Sequence, residues 1–249
     1  MLYLNMKQLL LPTISLLAML YLSSCTTDAA QHDATTTSDV QVVGAMRNVM
    51  WKGELAGTID LDSLSDKTHL YGLGPVEYLA GELLILDGKS YKSVATSDTS
   101  MRVEETFDVK APFFVYAQVP SWRERMLPDS IRTLQQLELY LDSETQHSTR
   151  PFAFRVSGEV EQATIHIVNL PAGSTVSSPD EAHQGQVNYE LHQVEADLVG
   201  FFSTEHKAVF THHDTYMHLH LITKDRSQMG HLDAVTFKPG TLKLYLPEV

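Results

Sequence analysis

The sequence predicts an α/β fold of the α+β kind, with mixed and antiparallel β-sheet and few helices. Short apolar or alternating runs, separated by Gly, Pro and Asp turns, recur along most of the chain. Only one segment has a strong helical period. Strands and helices do not alternate regularly, as a doubly wound parallel sheet would require.

Taken in chain order, residues 1–24 read as an export leader. They hold one charge, Lys7, then a mostly apolar run over residues 9–22 and two serines. The run is shorter than the roughly 20 apolar residues a membrane span needs, and Pro12 interrupts it. Cys25 follows Leu22, Ser23 and Ser24 and is the only cysteine in the chain. The segment resembles a bacterial lipobox, which makes Cys25 the expected lipidation site and the chain an exported, membrane-anchored lipoprotein. Thr26 after Cys25, in a cell with two membranes, points to the outer one. Residues 25–42 carry Thr, Ser, Ala, Asp and Gln without apolar periodicity and read as a flexible tether.

Folding is expected from residue 43. In GELLILDGKSYKSVA two apolar runs flank an Asp87-Gly88 turn, the pattern of a hairpin. APFFVYAQV is a short aromatic and β-branched strand. The best helix covers residues 129–145, with Asp129 or Ser130 as cap and Ile131, Leu134, Leu137 and Leu141 on one face. A shorter helical turn is expected over residues 62–67. PFAFRVSGEVEQATIHIVNL, VNYELHQVEADLVGFFS, TYMHLHLIT and AVTFKPGTLKLYL complete the strands.

Composition narrows the function. With 43% hydrophobic residues the chain can bury a substantial core, as one large domain or two closely packed small ones. Its 18 basic and 31 acidic residues disfavour a partner whose binding depends on neutralising phosphates, so nucleic acid is not expected. A chain beginning at Cys25 loses Lys7, leaving 17 basic against 31 acidic residues and a net charge of −14. Anionic membranes repel such a body, so membrane contact falls to the N-terminal lipid alone.

Twelve histidines are present, most of them from His183 onward. His218 and His220 stand two residues apart in a strand, so both side chains leave the same face. The polar KDRSQMG segment can turn the chain back and set His231 on a neighbouring strand. Three neutral imidazoles suit Zn2+ or another divalent transition metal. On spacing alone, a solvated polar strand face explains His218 and His220 equally well. His212 and His213 are adjacent and point to opposite faces, so at most one of them could join.

The segments YGLGPVEYLAGELLILDGKSY and HLHLITKDRSQMGHLDAV together resemble, in order and separation, two signatures of the bacterial α-acetolactate decarboxylase family. The likeness runs from about residue 45 to the end. It implies two closely packed β-rich halves, about 43–165 and 166–249, with the metal site between them. It also implies a zinc-dependent carboxy-lyase that converts 2-acetolactate to acetoin with release of carbon dioxide, as a homodimer. Matched position by position, His218, His220 and His231 become the metal ligands and Glu82 the active-site carboxyl that delivers a proton. Arg155 becomes the active-site arginine that orients carboxylate or oxyanion. Gly72 and Gly74 match the family's G-x-G loop, although a plain turn explains them as well.

The sequence departs from the family at three places. Pro75 stands where the family often has threonine, and Met229 replaces the first glycine of its usual GGH. The family often continues past the Leu-Pro at Leu246-Pro247 into a segment that supplies another glutamate. Glu248 is the carboxylate available for that role here. Two other readings compete: a periplasmic metal-binding lipoprotein without catalysis, and a cupin-like metal oxygenase, with Asp225 as the carboxylate after the histidine pair.

Overall fold

The computed structural model describes residue 1 and residues 39–248; the leader, Cys25, most of the tether and Val249 lie outside the described residues. The elements all belong to the unit formed by residues 35–249. The first half carries β1 (Gln41–Val43), α1 (Met46–Lys52), β2 (Ile59–Asp60), β3 (Leu70–Pro75), β4 (Glu82–Leu86), β5 (Lys89–Ser97), β6 (Ser100–Glu105), β7 (Lys110–Ala111) and β8 (Phe114–Gln118). After these come β9 (Trp122–Met126), α2 (Leu134–Glu144), β10 (Phe152–Ile167), α3 (Pro179–Ala182), β11 (Val187–Phe202), β12 (Met217–Thr223), β13 (Met229–Phe237) and β14 (Lys243–Pro247).

Two six-stranded sheets result, in the orders β1-β8-β3-β4-β5-β6 and β11-β12-β13-β10-β14-β9, with β2 and β7 as a small separate pair. Every pairing between these strands is antiparallel, which removes the mixed component expected from sequence. β10 and β11 pair along 16 residues each, and β10 also pairs with β13, so β10, β11, β12 and β13 close on one another. The chain passes from the first sheet to the second between Gln118 and Trp122. Residues 165 and 166, where the sequence reading divides the halves, are neighbours inside β10. A strand with ladder bonds on both edges cannot serve as a linker.

The sheets share a core in which Tyr71, Leu73, Leu84 and Val115 of the first meet Val199, Phe201, Ile222 and Met229 of the second. Leu73, Leu84, Val199 and Phe201 are fully buried, each worth about 1.5–3 kcal/mol over an exposed position. The GLG segment, expected as a loop, is strand β3. Gly72 and Gly74 serve packing there: a Cβ on Gly72 would stand 2.6 Å from the Phe114 ring, and one on Gly74 2.5 Å from the Phe113 carbonyl oxygen.

The helix expected over residues 129–145 begins later, at Leu134. Thr133 accepts from the Gln136 N–H and the Gln136 side chain returns to the Thr133 N–H, closing a capping box. Asp129 is occupied elsewhere, accepting from the Gly240 N–H at 2.8 Å. Leu137 and Leu141 seat α2 on the second sheet. The turn expected over residues 62–67 is a 3-10 turn at Leu61–Ser63. Helix α1 was not anticipated. Its buried Met46, Val49 and Met50 are too few for the sequence window to show a helical period.

Candidate metal centre

Strand β12 explains how two histidines converge. It is buried along its whole length, because β11 and β13 flank it and both faces are covered. Leu219 and Leu221 enter the core under α2, and the alternation turns His218, His220 and Ile222 toward the first sheet. The turn after Thr223 is closed by the Thr223 N–H to the Gln228 carbonyl and by Asp225, which accepts from Thr223 Oγ1 at 2.6 Å and from the Ser227 N–H at 3.0 Å. Asp225 is therefore a turn residue, which removes the carboxylate that the oxygenase reading needed. The turn puts His231 opposite His220, and β10 puts His166 opposite His231. Three neighbouring strands thus carry a histidine in one row.

The ligand nitrogens of His218, His220 and His231 lie within 4.8 Å of one another. His218 Nε2 is 3.1 Å from His231 Nδ1, a gap that two bonds of about 2.0–2.1 Å to one ion can span. The rings are 3%, 0% and 8% exposed, too dry for an imidazolium. Burial, reinforced by the neighbouring rings, pulls all three below the usual histidine range, His220 to about 3. Both ring nitrogens of His220, and Nδ1 of His218, have no well-formed hydrogen bond, although the Leu83 and Phe210 carbonyls lie toward them. A buried ring nitrogen without a partner is costly. A divalent cation would take one nitrogen of each ring, His218 through Nε2, with the Phe210 and Leu83 carbonyls placed to receive the other N–H of His218 and His220, so these residues fit a zinc-type ion.

The first sheet contributes Glu82, the opening residue of β4, whose side chain leaves the same face as Leu84 and Leu86. Its Oε2 stands 3.6 Å from His220 Nε2, and its Oε1 accepts from the Val168 N–H at 3.2 Å. Burial, with only that one N–H opposing it, raises the Glu82 carboxyl well above the usual range and favours its protonated form. The centre therefore lies between the two sheets, as expected. Pro75 pairs with Glu82 across the first sheet and forms part of the same wall. Met46, Met50, Leu79, Phe113 and Val168 give it an apolar side and His166, His183 and His212 further polar edges, around a cavity of about 30 Å³. His212 and His231 also line a second hollow of about 350 Å³, with Glu138, Asp214 and Asp233.

The structure brings Glu82, His218, His220 and His231 together, and leaves Arg155 and Glu248 apart from them. Arg155 lies over the rings of Tyr245, Tyr71 and Trp122 at 4.9, 5.7 and 5.9 Å and sets Nη2 3.6 Å from Asp197. Val199 intervenes in the sheet, paired with Arg155 on one side and His220 on the other. The guanidinium turns from the histidines because a ring of aromatic faces and a buried carboxylate answer its charge. Glu248 hydrogen-bonds through its N–H to the Ser121 carbonyl and borders a separate hollow with Arg123 and Arg150.

Two residues at the centre escaped the sequence reading. His166 is 5% exposed and accompanied by Asp233, whose carboxylate oxygens both lie 2.8 Å from its Nδ1. The signal was a histidine between Ile165 and Ile167 in an alternating strand, and an aspartate two residues after His231. The MGH departure also finds its reason. A side chain on Gly230 would meet the His166 carbonyl oxygen at 2.5 Å, whereas the preceding position points into the intersheet core and takes Met229.

Comparison with known proteins agrees with this architecture. The alpha-acetolactate decarboxylase family model matches residues 43–246. The alpha-acetolactate decarboxylase of Lactococcus lactis subsp. lactis is 26% identical over 199 residues, covering 77% of this chain and 78% of that protein. The one from Methanosarcina mazei is 27% identical over 214 residues, covering 85% and 71%. The crystal structure of alpha-acetolactate decarboxylase from Bacillus subtilis strain 168 superposes with a TM-score of 0.69 at 19% identity, over 84% of this chain and 86% of that one, and so shares the fold. With a family match over residues 43–246, well beyond half of its length, this chain belongs to the alpha-acetolactate decarboxylase family.

Proposed function

We propose that this protein decarboxylates 2-acetolactate to acetoin and carbon dioxide with a Zn2+ ion held by His218, His220 and His231. One observation carries the reading: three buried imidazoles from one sheet face a buried carboxyl from the other, with His220 and Glu82 3.6 Å apart. The substrate carries a carboxylate and a hydroxyl on one carbon and a ketone on the next. When the bond to the carboxylate breaks, its electron pair moves toward the ketone oxygen, and the carbon later takes up a proton. A divalent cation supplies positive charge beside that oxygen, an effect worth several kcal/mol. Glu82 delivers the proton to carbon, a role favoured by the burial that raises its carboxyl above the usual range. Leu79, Phe113, Met46 and Met50 keep bulk water from the reacting carbon. Arg155 has no part in this scheme.

The test is acetoin formation by the purified protein from 2-acetolactate, with and without chelator, followed by addition of Zn2+. Acetoin above the spontaneous rate, lost on chelation and restored by Zn2+, is expected. Absence of any metal-dependent acetoin overturns the reading. We further propose that the enzyme is a homodimer, as the family resemblance implies, and that it is exported and anchored through a lipid on Cys25, a reading supported by the sequence of residues 1–25. Radiolabelled fatty acid should enter the wild type and not Cys25→Ser.

A further inference from the structure

We infer that His166 receives the substrate hydroxyl in this centre, and that Asp233 is the positioning residue that aims it. The inference rests on the decarboxylase reading for the substrate class, an α-hydroxy-β-keto acid. The geometry is a dyad beside the ligand set. His166 leaves β10 opposite His231, and their rings are 4.6 Å apart. Its nitrogens nevertheless stay outside the triangle made by His218, His220 and His231, grouping instead with His231 and Asp233. That second set could itself take an ion, but the 2.8 Å contacts from both Asp233 oxygens to Nδ1 mark His166 as a hydrogen-bonded ring beside the ligand set.

Asp233 decides what that is. An ionised carboxylate only accepts hydrogen bonds, so the 2.8 Å contacts from both of its oxygens require that Nδ1 of His166 carry the hydrogen. The geometry thus places the ring hydrogen on Nδ1 and leaves Nε2 as the nitrogen that faces the cavity as an acceptor. That atom looks across the cavity toward Glu82 Oε1 at 4.0 Å, too long for a hydrogen bond between them. The opening residue of β4 and the end of β10 thus frame one small space, lined also by His183, His212, His218, His231 and the unbranched side chains of Met46 and Met50. Methionine yields readily to an incoming group.

A lone-pair acceptor selects among the oxygens of the substrate. Its carboxylate and ketone oxygens have no hydrogen to give, and the hydroxyl has one. Nε2 therefore accepts from the hydroxyl and repels the other oxygens. This fixes which face of the substrate carbon meets Glu82. A substrate lacking the hydroxyl leaves Nε2 without a donor, which is how a buried polar site rejects an analogue.

The experiment compares two acids of nearly equal shape on the metal-loaded full-length protein: 2-hydroxy-2-methylpropanoate and 2,2-dimethylpropanoate. Calorimetry gives both affinities, and their ratio is the hydroxyl preference. His166→Phe should lower that ratio about tenfold, the worth of one good hydrogen bond, with metal content still one ion per chain. His166→Gln, whose amide oxygen can accept, should recover part of it. Asp233→Ala, at a position 35% exposed and tolerant of truncation, should lower the ratio less than His166→Phe does.

The inference is overturned if the ratio stays within twofold of wild type in His166→Phe and Asp233→Ala. It is also overturned if the wild type shows no hydroxyl preference, or if His166→Phe sheds its metal. Acetoin formation measured in parallel separates the two claims. A wild type that binds with hydroxyl preference yet makes no acetoin refutes the decarboxylase reading and leaves the binding role standing. One that makes acetoin while His166→Phe keeps both its preference and its kcat/KM does the reverse.

Discussion

Two polar clusters lie on the same side of the second sheet, with Val199 between them, and they have opposite characters. Around Asp197, 2% exposed, every charge is answered: Lys224 at 2.7 Å, Arg226 at 3.1 Å, Arg155 at 3.6 Å and Ser157 Oγ at 2.8 Å. Burial alone would raise the Asp197 carboxyl, yet these partners bring it below its usual value. In the histidine cavity the balance runs the other way. His218 and His220 keep ring nitrogens without hydrogen-bond partners, and burial pushes the Glu82 carboxyl up with a single N–H to oppose it. A buried cluster whose bonds close on themselves has no valence left for a ligand. One that leaves lone pairs open is unstable until something from outside fills it, and that is the mark of a site.

The sharpest way to break this contrast is to delete one open lone pair. His220→Ala should leave less than one metal ion per chain by elemental analysis and lower acetoin formation at least about a thousandfold, the weight of several kcal/mol of lost charge stabilisation. Metal retained at full stoichiometry would show that the open nitrogens are not ligands. Glu82→Gln is expected to keep the metal and lose about a hundred- to ten-thousandfold in kcat, the range of general acid catalysis. Equal losses of metal in both variants would place Glu82 among the ligands and not with the acid.

Much of this contrast was legible in the sequence. The H-x-H alternation and the turn before His231 are local patterns, and β12 and β13 realise them. Glu82 heads a hairpin whose Asp87-Gly88 turn fixes its register. Arg155 is the instructive exception. Its strand and position were legible, but a guanidinium on a long stem goes where charge and aromatic faces receive it, and Asp197, Tyr71, Trp122 and Tyr245 come from four other strands. His166 was hidden for the converse reason: one histidine in an apolar strand looks like core until the closure of β10 on β13 sets it opposite His231.

Acidity sharpens the contrast further. The three histidines are harder to protonate in the folded protein than in the unfolded chain, so the unfolded state binds more protons between the ordinary value of 6.5 and the folded value, about 3 for His220. Stability of the metal-free protein therefore falls as pH drops through that window. Glu82 acts oppositely, since its folded form holds a proton that the unfolded chain releases above 4.5. Below 4.5 Glu82 is protonated in both states and the histidine effect stands alone among the cavity groups. Melting temperatures of the metal-free protein from pH 4.5 down to 3.5 should fall more steeply in wild type than in His220→Leu. Parallel slopes would mean that the rings are not buried as neutral imidazoles.

The smallest expected effect on catalysis comes from the closed cluster. Asp197→Asn removes the charge that Lys224, Arg226 and Arg155 share while keeping shape and one acceptor oxygen. The last of these cations is only 18% exposed and cannot turn fully to water. Unfolding free energy should therefore drop by about 1–3 kcal/mol in urea titration, the cost of weakening a buried charged hydrogen-bond partner. Catalysis should not follow it. With Val199 between the clusters and no shared partner, the two sites are independent, and effects at independent sites add without coupling. Activity per folded molecule in Asp197→Asn, and in Arg155→Lys, should stay within about threefold of wild type. A loss of a hundredfold in Arg155→Lys at unchanged stability would mean that this guanidinium leaves its aromatic surroundings to meet the substrate, and the division between closed and open clusters would fail at the residue on which it most depends.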